Sequence, residues 1–175
     1  NSTAVGTSAQ ASADYSSSYG TLANASGLAS TAIGAGSIAN ATGAITIGVN
    51  SIASGANSSA FGTEANASAE DAMALGKASI ANRSNAIAIG TDAIAAEVNA
   101  TALGDASQAT GFQSTALGAL AKATAKNATA VGEKAEASGA QSTAIGRQSL
   151  ASSSGTTALG TIAKATGVRS TALGV

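Results

Sequence analysis

Residues 114–124 read STALGALAKAT, and this stretch contains both halves of a unit that recurs along the chain. Its first half ends with Leu117 before Gly118, and its second half places Lys122 between two alanines. Counting from Gly118 in steps of 14 residues, in both directions, meets a glycine every time, without insertion or deletion. A fixed period of this kind indicates a repeat architecture. The thirteen glycines are Gly6, Gly20, Gly34, Gly48, Gly62, Gly76, Gly90, Gly104, Gly118, Gly132, Gly146, Gly160 and Gly174.

We number each repeat from its glycine, which is position 0. The residue before it, at position 13, is always apolar, from Val5 to Leu173. Position 5 is alanine in every repeat that includes it, and position 3 is alanine or serine. Each repeat contains two runs of alternating residues, separated by turns, and the glycine at position 0 permits the first turn. This pattern predicts two short strands per repeat. Stacked at about 4.8 Å, about twelve such coils form an all-β, parallel solenoid roughly 58 Å long.

The strand that ends at Leu117 presents two faces, with Thr115 and Leu117 on one and Ser114 and Ala116 on the other. We expect Leu117 to point inward against the small residues at positions 3 and 5, because large against small fills a narrow layer. The alternation also permits the opposite assignment. The second turn carries glycine at position 7 in five repeats, where we expect positive φ. These are Gly27, Gly55, Gly111, Gly139 and Gly167.

The composition limits both the core and the function. Leu, Ile, Val and Phe together number 28 of 175 residues, so one copy buries few large side chains and we expect self-association. A formal net charge of −1 argues against nucleic acid, and no apolar run is long enough to span a membrane as a helix. Both ends of the sequence lie inside a repeat, so we expect a fragment of a longer protein.

The sequence predicts no catalytic, metal or cofactor site. Histidine and cysteine are absent, which removes the usual bases and thiol nucleophiles. The adjacent acidic residues Glu70 and Asp71 fall at a turn, where a solvated pair is the ordinary outcome. The acidic residues form no column, as a calcium site would need. Neighbouring repeats place opposite charges at one position in three pairs: Arg83 with Glu97, Lys122 with Glu136, and Glu133 with Arg147.

Position 4, in the middle of the second strand, is the best candidate binding column. It carries isoleucine in four repeats, although we expect it to face outward. Stacked exposed isoleucines can mark a binding surface, or they can be a β-branched ladder that favours strand geometry. As a hypothesis, these four hold an extended protein ligand such as collagen: Ile38, Ile52, Ile80 and Ile94.

Three repeats carry a motif with a family resemblance. Residues 1–6 read NSTAVG, residues 85–90 read NAIAIG, and residues 99–107 read NATALGDAS. They resemble Asn-Ser-Val-Ala-Ile-Gly-x-x-Ser, the head motif of YadA-like trimeric autotransporter adhesins, and the resemblance covers the entire chain. Other repeats depart from it, often replacing the asparagine with Gln, Arg or Gly and the valine with threonine.

The resemblance implies a left-handed parallel β-roll, assembled as a homotrimer and displayed from a Gram-negative outer membrane. Heads of this family bind collagen, fibronectin, laminin or host cells. Residues 1–175 would then be a single head domain without enzymatic activity, and without the neck, stalk and anchor. A passive spacer that lifts another binding tip is one alternative. An ice-binding solenoid is a remote one, because the threonines at position 11 share a face with the residue that we expect to point inward.

Overall fold

The computed structural model describes residues 1–174, which form 25 short strands and no helix. The odd-numbered strands have three residues each: β1 (Thr3–Val5), β3 (Ser17–Tyr19), β5 (Thr31–Ile33), β7 (Ile45–Ile47), β9 (Ser59–Phe61), β11 (Met73–Leu75), β13 (Ile87–Ile89), β15 (Thr101–Leu103), β17 (Thr115–Leu117), β19 (Thr129–Val131), β21 (Thr143–Ile145), β23 (Thr157–Leu159) and β25 (Thr171–Leu173). The even-numbered strands have two residues each: β2 (Gln10–Ala11), β4 (Asn24–Ala25), β6 (Ile38–Ala39), β8 (Ile52–Ala53), β10 (Asn66–Ala67), β12 (Ile80–Ala81), β14 (Ile94–Ala95), β16 (Gln108–Ala109), β18 (Lys122–Ala123), β20 (Glu136–Ala137), β22 (Leu150–Ala151) and β24 (Lys164–Ala165).

The strands build two parallel sheets that run the length of the rod. The odd-numbered strands form a 13-stranded sheet, called sheet A, and the even-numbered strands form a 12-stranded sheet, called sheet B. Each residue pairs with the one 14 positions later, as Thr115 does with Thr129. This register confirms the parallel solenoid with 14-residue coils. Residues 1–174 include no helix with the length and apolarity required to cross a membrane.

The space between the two sheets is filled by small side chains. Ser114 and Ala116 point inward from sheet A, and Ala121 and Ala123 point inward from the facing segment of sheet B. Positions 3 and 5 therefore face the core, as the sequence predicts. Among the described residues the largest fully buried side chains belong to threonines, such as Thr46. A coil with strands of two and three residues leaves a gap that admits only alanine, serine and threonine.

The expectation that Leu117 points inward is wrong. Its side chain is 39% exposed, whereas the adjacent Ala116 is fully buried. The same reversal holds along sheet A, because a leucine or isoleucine in the gap would force the two sheets apart. The bulky side chains at position 13 occupy the outer face, where they have room, and the alternative assignment is the correct one.

The turns follow the glycine pattern only in part. At position 0, the glycines from Gly6 to Gly160 have φ between 120° and 149°, a region that side chains disfavour. The expectation of positive φ at position 7 is wrong, because no glycine there adopts it. Gly27 is needed for another reason: a Cβ would overlap the carbonyl oxygen of Ala41 in the next coil. Positive φ falls instead at positions 2 and 9, mostly on residues other than glycine.

The charged residues follow the predicted register without forming the predicted contacts. Lys122 pairs with Glu136 across adjacent strands. Within residues 1–174, however, neither this pair nor the other two opposite-charge pairs closes into an ion pair. Lys134 Nζ instead lies 3.5 Å from Oε1 of its sequence neighbour Glu133, with both side chains about half exposed. Charge placement therefore avoids repulsion between coils and contributes little direct attraction.

Candidate functional surfaces

The outer face of sheet A is a continuous uncharged strip. Positions 11 and 13 supply it, and none of their 26 residues carries a charge, although the chain contains 17 charged side chains. Each of the thirteen strands contributes a large apolar residue at position 13, and most of these are well exposed. The thirteen are Val5, Tyr19, Ile33, Ile47, Phe61, Leu75, Ile89, Leu103, Leu117, Val131, Ile145, Leu159 and Leu173.

Such a strip is unusual on an isolated protein. Monomeric proteins rarely expose contiguous apolar patches larger than a few hundred Å². This strip extends over the thirteen strands of sheet A, roughly 58 Å for twelve steps of about 4.8 Å. Every strand presents a large apolar residue and none presents a charge, so a surface that covers the strip must be equally repetitive.

The threonines at position 11 share this outer face, from Thr101 to Thr171 without interruption. They are half-buried or exposed, and therefore point outward. The sequence argued against ice binding because it predicted that these threonines point inward. That prediction is wrong. What opposes that alternative instead is the row of large apolar side chains beside the threonines, since ice binding requires a paired threonine array.

The outer face of sheet B is heterogeneous. Position 4 faces outward, as predicted, and its isoleucines are half-buried by their neighbours. The sheet register stacks the isoleucines as two pairs, Ile38 on Ile52 and Ile80 on Ile94. The complete column reads Gln10, Asn24, Ile38, Ile52, Asn66, Ile80, Ile94, Gln108, Lys122, Glu136, Leu150 and Lys164.

The two isoleucine pairs have different surroundings. In the coils of Ile38 and Ile52, the first turn exposes Val49, and Leu22 stands out one coil earlier. In the coils of Ile80 and Ile94, the same turn carries the charged residues Lys77 and Asp92. From the sequence, we considered position 4 alone and missed this difference between the two pairs. The residues at positions 1 and 2 of the same repeats could have indicated it.

Other surface features are local. Lys126 Nζ lies 5.8 Å from the centre of the Phe112 ring, and Asn57 Nδ2 donates to Asp71 Oδ1 over 3.3 Å. Glu70 and Asp71 are exposed at a turn, where the sequence placed them. Residues 1–174 hold no group of three or more His, Cys, Asp or Glu arranged to bind a metal ion.

Comparison with known proteins identifies a family and a similar solved structure. The family model for the YadA head domain repeat matches eight segments, some of which overlap: residues 1–23, 25–51, 39–65, 67–93, 95–121, 109–132, 123–149 and 151–175. The collagen-binding domain of the Yersinia adhesin YadA is similar in structure, with 25% sequence identity, a TM-score of 0.37, and coverage of 95% of this chain and 70% of that one. No curated protein sequence matches.

Proposed function

Since the chain belongs to the YadA head domain repeat family, we propose that it is the head of a trimeric adhesin that attaches bacteria to host matrix proteins or host cells. The family is one of adhesins and not of enzymes, and its heads are left-handed parallel β-rolls. Its members are displayed on the bacterial outer surface. Residues 1–175 would form a single head domain that needs no cofactor.

The observation that supports assembly is the uniform apolar strip on sheet A. A partner that covers it must offer a matching surface at every 14-residue step, and another copy of the same rod does so by construction. Burying thirteen large side chains per chain also supplies the apolar burial that the alanine core lacks. Trimers are characteristic of the family, and we propose three copies around one axis, with sheet A facing the axis.

Assembly through sheet A would leave sheet B directed outward in all three copies. Ligand contacts would then lie on its outer face, and we propose Ile38, Ile52, Ile80 and Ile94 as contributors. Three equivalent columns per trimer, and many trimers per cell, raise the effective affinity through multivalency even when each contact is weak.

The test combines a binding screen with a measurement of size. The purified chain is applied to immobilised collagen, fibronectin and laminin, and the same sample is examined by sedimentation velocity. We expect a trimer that binds at least one of the three. A stable monomer would contradict the assembly, and failure to bind any matrix protein or host cell would contradict the adhesive function. Replacing all four isoleucines with threonine tests the column, since unchanged affinity would remove it from the proposal.

A passive spacer remains the second candidate, favoured by the interchangeable register of the coils. Deleting one or more complete 14-residue coils separates the two functions. A spacer that lifts another binding tip would retain adhesion after any such deletion, because the neighbouring coils have the same register and can close the gap. An adhesive head would lose binding when the deleted coils include the contact residues.

A further inference from the structure

We infer that the ligand docks between Asn24 and Asn66 on the outer face of sheet B, and that the docked segment is an uncharged, extended polypeptide. The inference rests on the proposed adhesive function and narrows it. It assigns the contact to one of the two isoleucine pairs and specifies the chemistry of the ligand.

The first argument is the distribution of charge. Residues 1–63 contain one charged side chain, Asp14, which lies in the second turn and 3.7 Å from the terminal amino group of Asn1. The column from Asn24 to Asn66 therefore carries no charge, and the first turn beside it carries one, the exposed Glu64 in the coil of Asn66. A charged ligand group docked over Ile38 and Ile52 would lose water without gaining a partner, which is costly.

The second argument is the shape of the apolar surface. Ile38 and Ile52 are half-buried neighbours in the sheet, and beside them Leu22 is 63% exposed and Val49 is 46% exposed. Gly36, between Leu22 and Asn50 in the stack of first turns, has no side chain, and the Asn50 amide folds over it, where a Cβ would collide with Asn50 Oδ1. Leu22 and Val49 therefore stand out beside the isoleucines, and a polar amide covers the backbone at Gly36.

The third argument is the pair of amides that bracket the isoleucines. Asn24 pairs with Ile38, and Asn66 pairs with Ile52, so the column reads Asn, Ile, Ile, Asn. Both Oδ1 atoms are buried without a hydrogen-bond partner. In each half-buried amide, Nδ2 is the group that can donate to a carbonyl oxygen of a ligand.

The spacing of the two amides sets the length of the docked segment. They are three coils apart, about 14 Å at roughly 4.8 Å per coil. An extended polypeptide rises about 3.1–3.4 Å per residue, so the two carbonyl oxygens would be four to five residues apart. Apolar side chains between them would lie over Ile38 and Ile52. The pair Ile80 and Ile94 shares Asn66 and has Gln108 at its other end, so it differs from the first pair in its charged neighbours Lys77 and Asp92 and in the longer Gln108 side chain.

The experiment uses the full chain and a surface that carries a capped, uncharged peptide of alternating proline and alanine, which is extended in solution. Binding is measured by surface plasmon resonance. The double variant Ile38→Thr/Ile52→Thr should bind about tenfold more weakly, because it loses apolar contact. The matched variant Ile80→Thr/Ile94→Thr should stay within about twofold. Threonine keeps the β-branch, and thermal unfolding of both variants checks that the fold is intact.

Two further arms address the amides and the charge. Asn24→Ala/Asn66→Ala should weaken binding by about tenfold, as loss of two hydrogen bonds implies. Binding of the neutral peptide should not change when salt is raised, because no charge pair is screened. Equal losses from the two isoleucine pairs, or equal binding of a peptide with alternating lysine and glutamate, would overturn the inference. Failure to bind the neutral peptide would also overturn the inference. If the same sample still bound collagen, fibronectin or laminin, the proposed adhesive function would stand.

Discussion

The two outer faces of this rod are built on the same 14-residue period, yet they differ in composition. On sheet A, positions 11 and 13 carry no charge at any height and a large apolar residue in every coil. On sheet B, position 4 changes from amides to isoleucines, and then to charged residues such as Lys122 and Glu136. One face is periodic in chemistry as well as in geometry, and the other is periodic in geometry alone.

The difference separates two kinds of partner. A face that repeats itself at every coil matches a partner that repeats with the same step, and a second copy of the chain satisfies that condition at every height. A face whose residues vary along the rod matches different chemistry at different heights. We therefore assign assembly to sheet A and ligand contact to sheet B, and each of the following changes tests that division.

The largest effect is expected from a charge placed on the uniform face. Leu117→Lys puts an ammonium group into the apolar strip in each copy, where an unpaired buried charge costs about 3–5 kcal/mol. The assembly should dissociate into folded monomers, as measured by sedimentation velocity together with circular dichroism.

Leu150→Lys is the matched control, because it makes the same substitution on sheet B at position 4. That variant should remain assembled. If both variants stay assembled, or if only Leu150→Lys dissociates, the assignment of the two faces is wrong.

A smaller effect is expected from two adjacent residues of one strand. Ala116→Leu overfills the gap between the sheets and should lower the free energy of unfolding by about 3 kcal/mol. Leu117→Ala removes an outer side chain and should change the stability of the monomer by less than about 0.5 kcal/mol. Urea denaturation measures both changes on the monomer. Ala116→Leu is made in the Leu117→Lys background, and Leu117→Ala is measured at low protein concentration. If Leu117→Ala lowered the free energy of unfolding more than Ala116→Leu did, Leu117 would be the buried residue.

Salt should have little effect on assembly. The strip on sheet A contains no charge, so the concentration at which the chains associate should shift by less than about twofold between low and physiological ionic strength. Sedimentation equilibrium at the two salt concentrations provides the measurement. Strong weakening by salt would indicate that charged residues outside this strip hold the copies together.

No effect at all is expected on the growth of ice. The threonines from Thr101 to Thr171 point outward, but assembly through sheet A would cover them together with the leucines beside them. The purified assembly should therefore show no thermal hysteresis by nanolitre osmometry. Hysteresis in the assembled protein would show that an ordered threonine face remains open to solvent.

Much of the fold could be predicted from the spacing of one residue type. The glycine ladder predicts the number of coils, their parallel stacking and the register, and the pairing of Thr115 with Thr129 confirms it. The outward direction of the isoleucines at position 4 was also predicted, because alternation around Lys122 leaves the alanines inside. Their role in binding stays a prediction.

The direction of the sheet A side chains could not be predicted, because period-2 alternation defines two faces without saying which one is inside. The general rule that large apolar residues are buried pointed the wrong way for Leu117. It failed because the thickness of the core depends on how closely two facing sheets approach, a distance that no single strand contains. At position 7, a glycine can be required by positive φ or by a carbonyl group of the next coil that leaves no room for a Cβ. The sequence does not distinguish these two reasons.

The sequence by itself determined the period, the parallel β-solenoid and the absence of charge at positions 11 and 13, because each of these is a property of spacing along the chain. Only the tertiary structure decided that Ala116 is the core and Leu117 the surface. The physical reason is the narrow gap between sheets A and B, which admits a methyl group and excludes an isobutyl group. That exclusion places the largest apolar side chains of the protein outside, where a second copy can cover them.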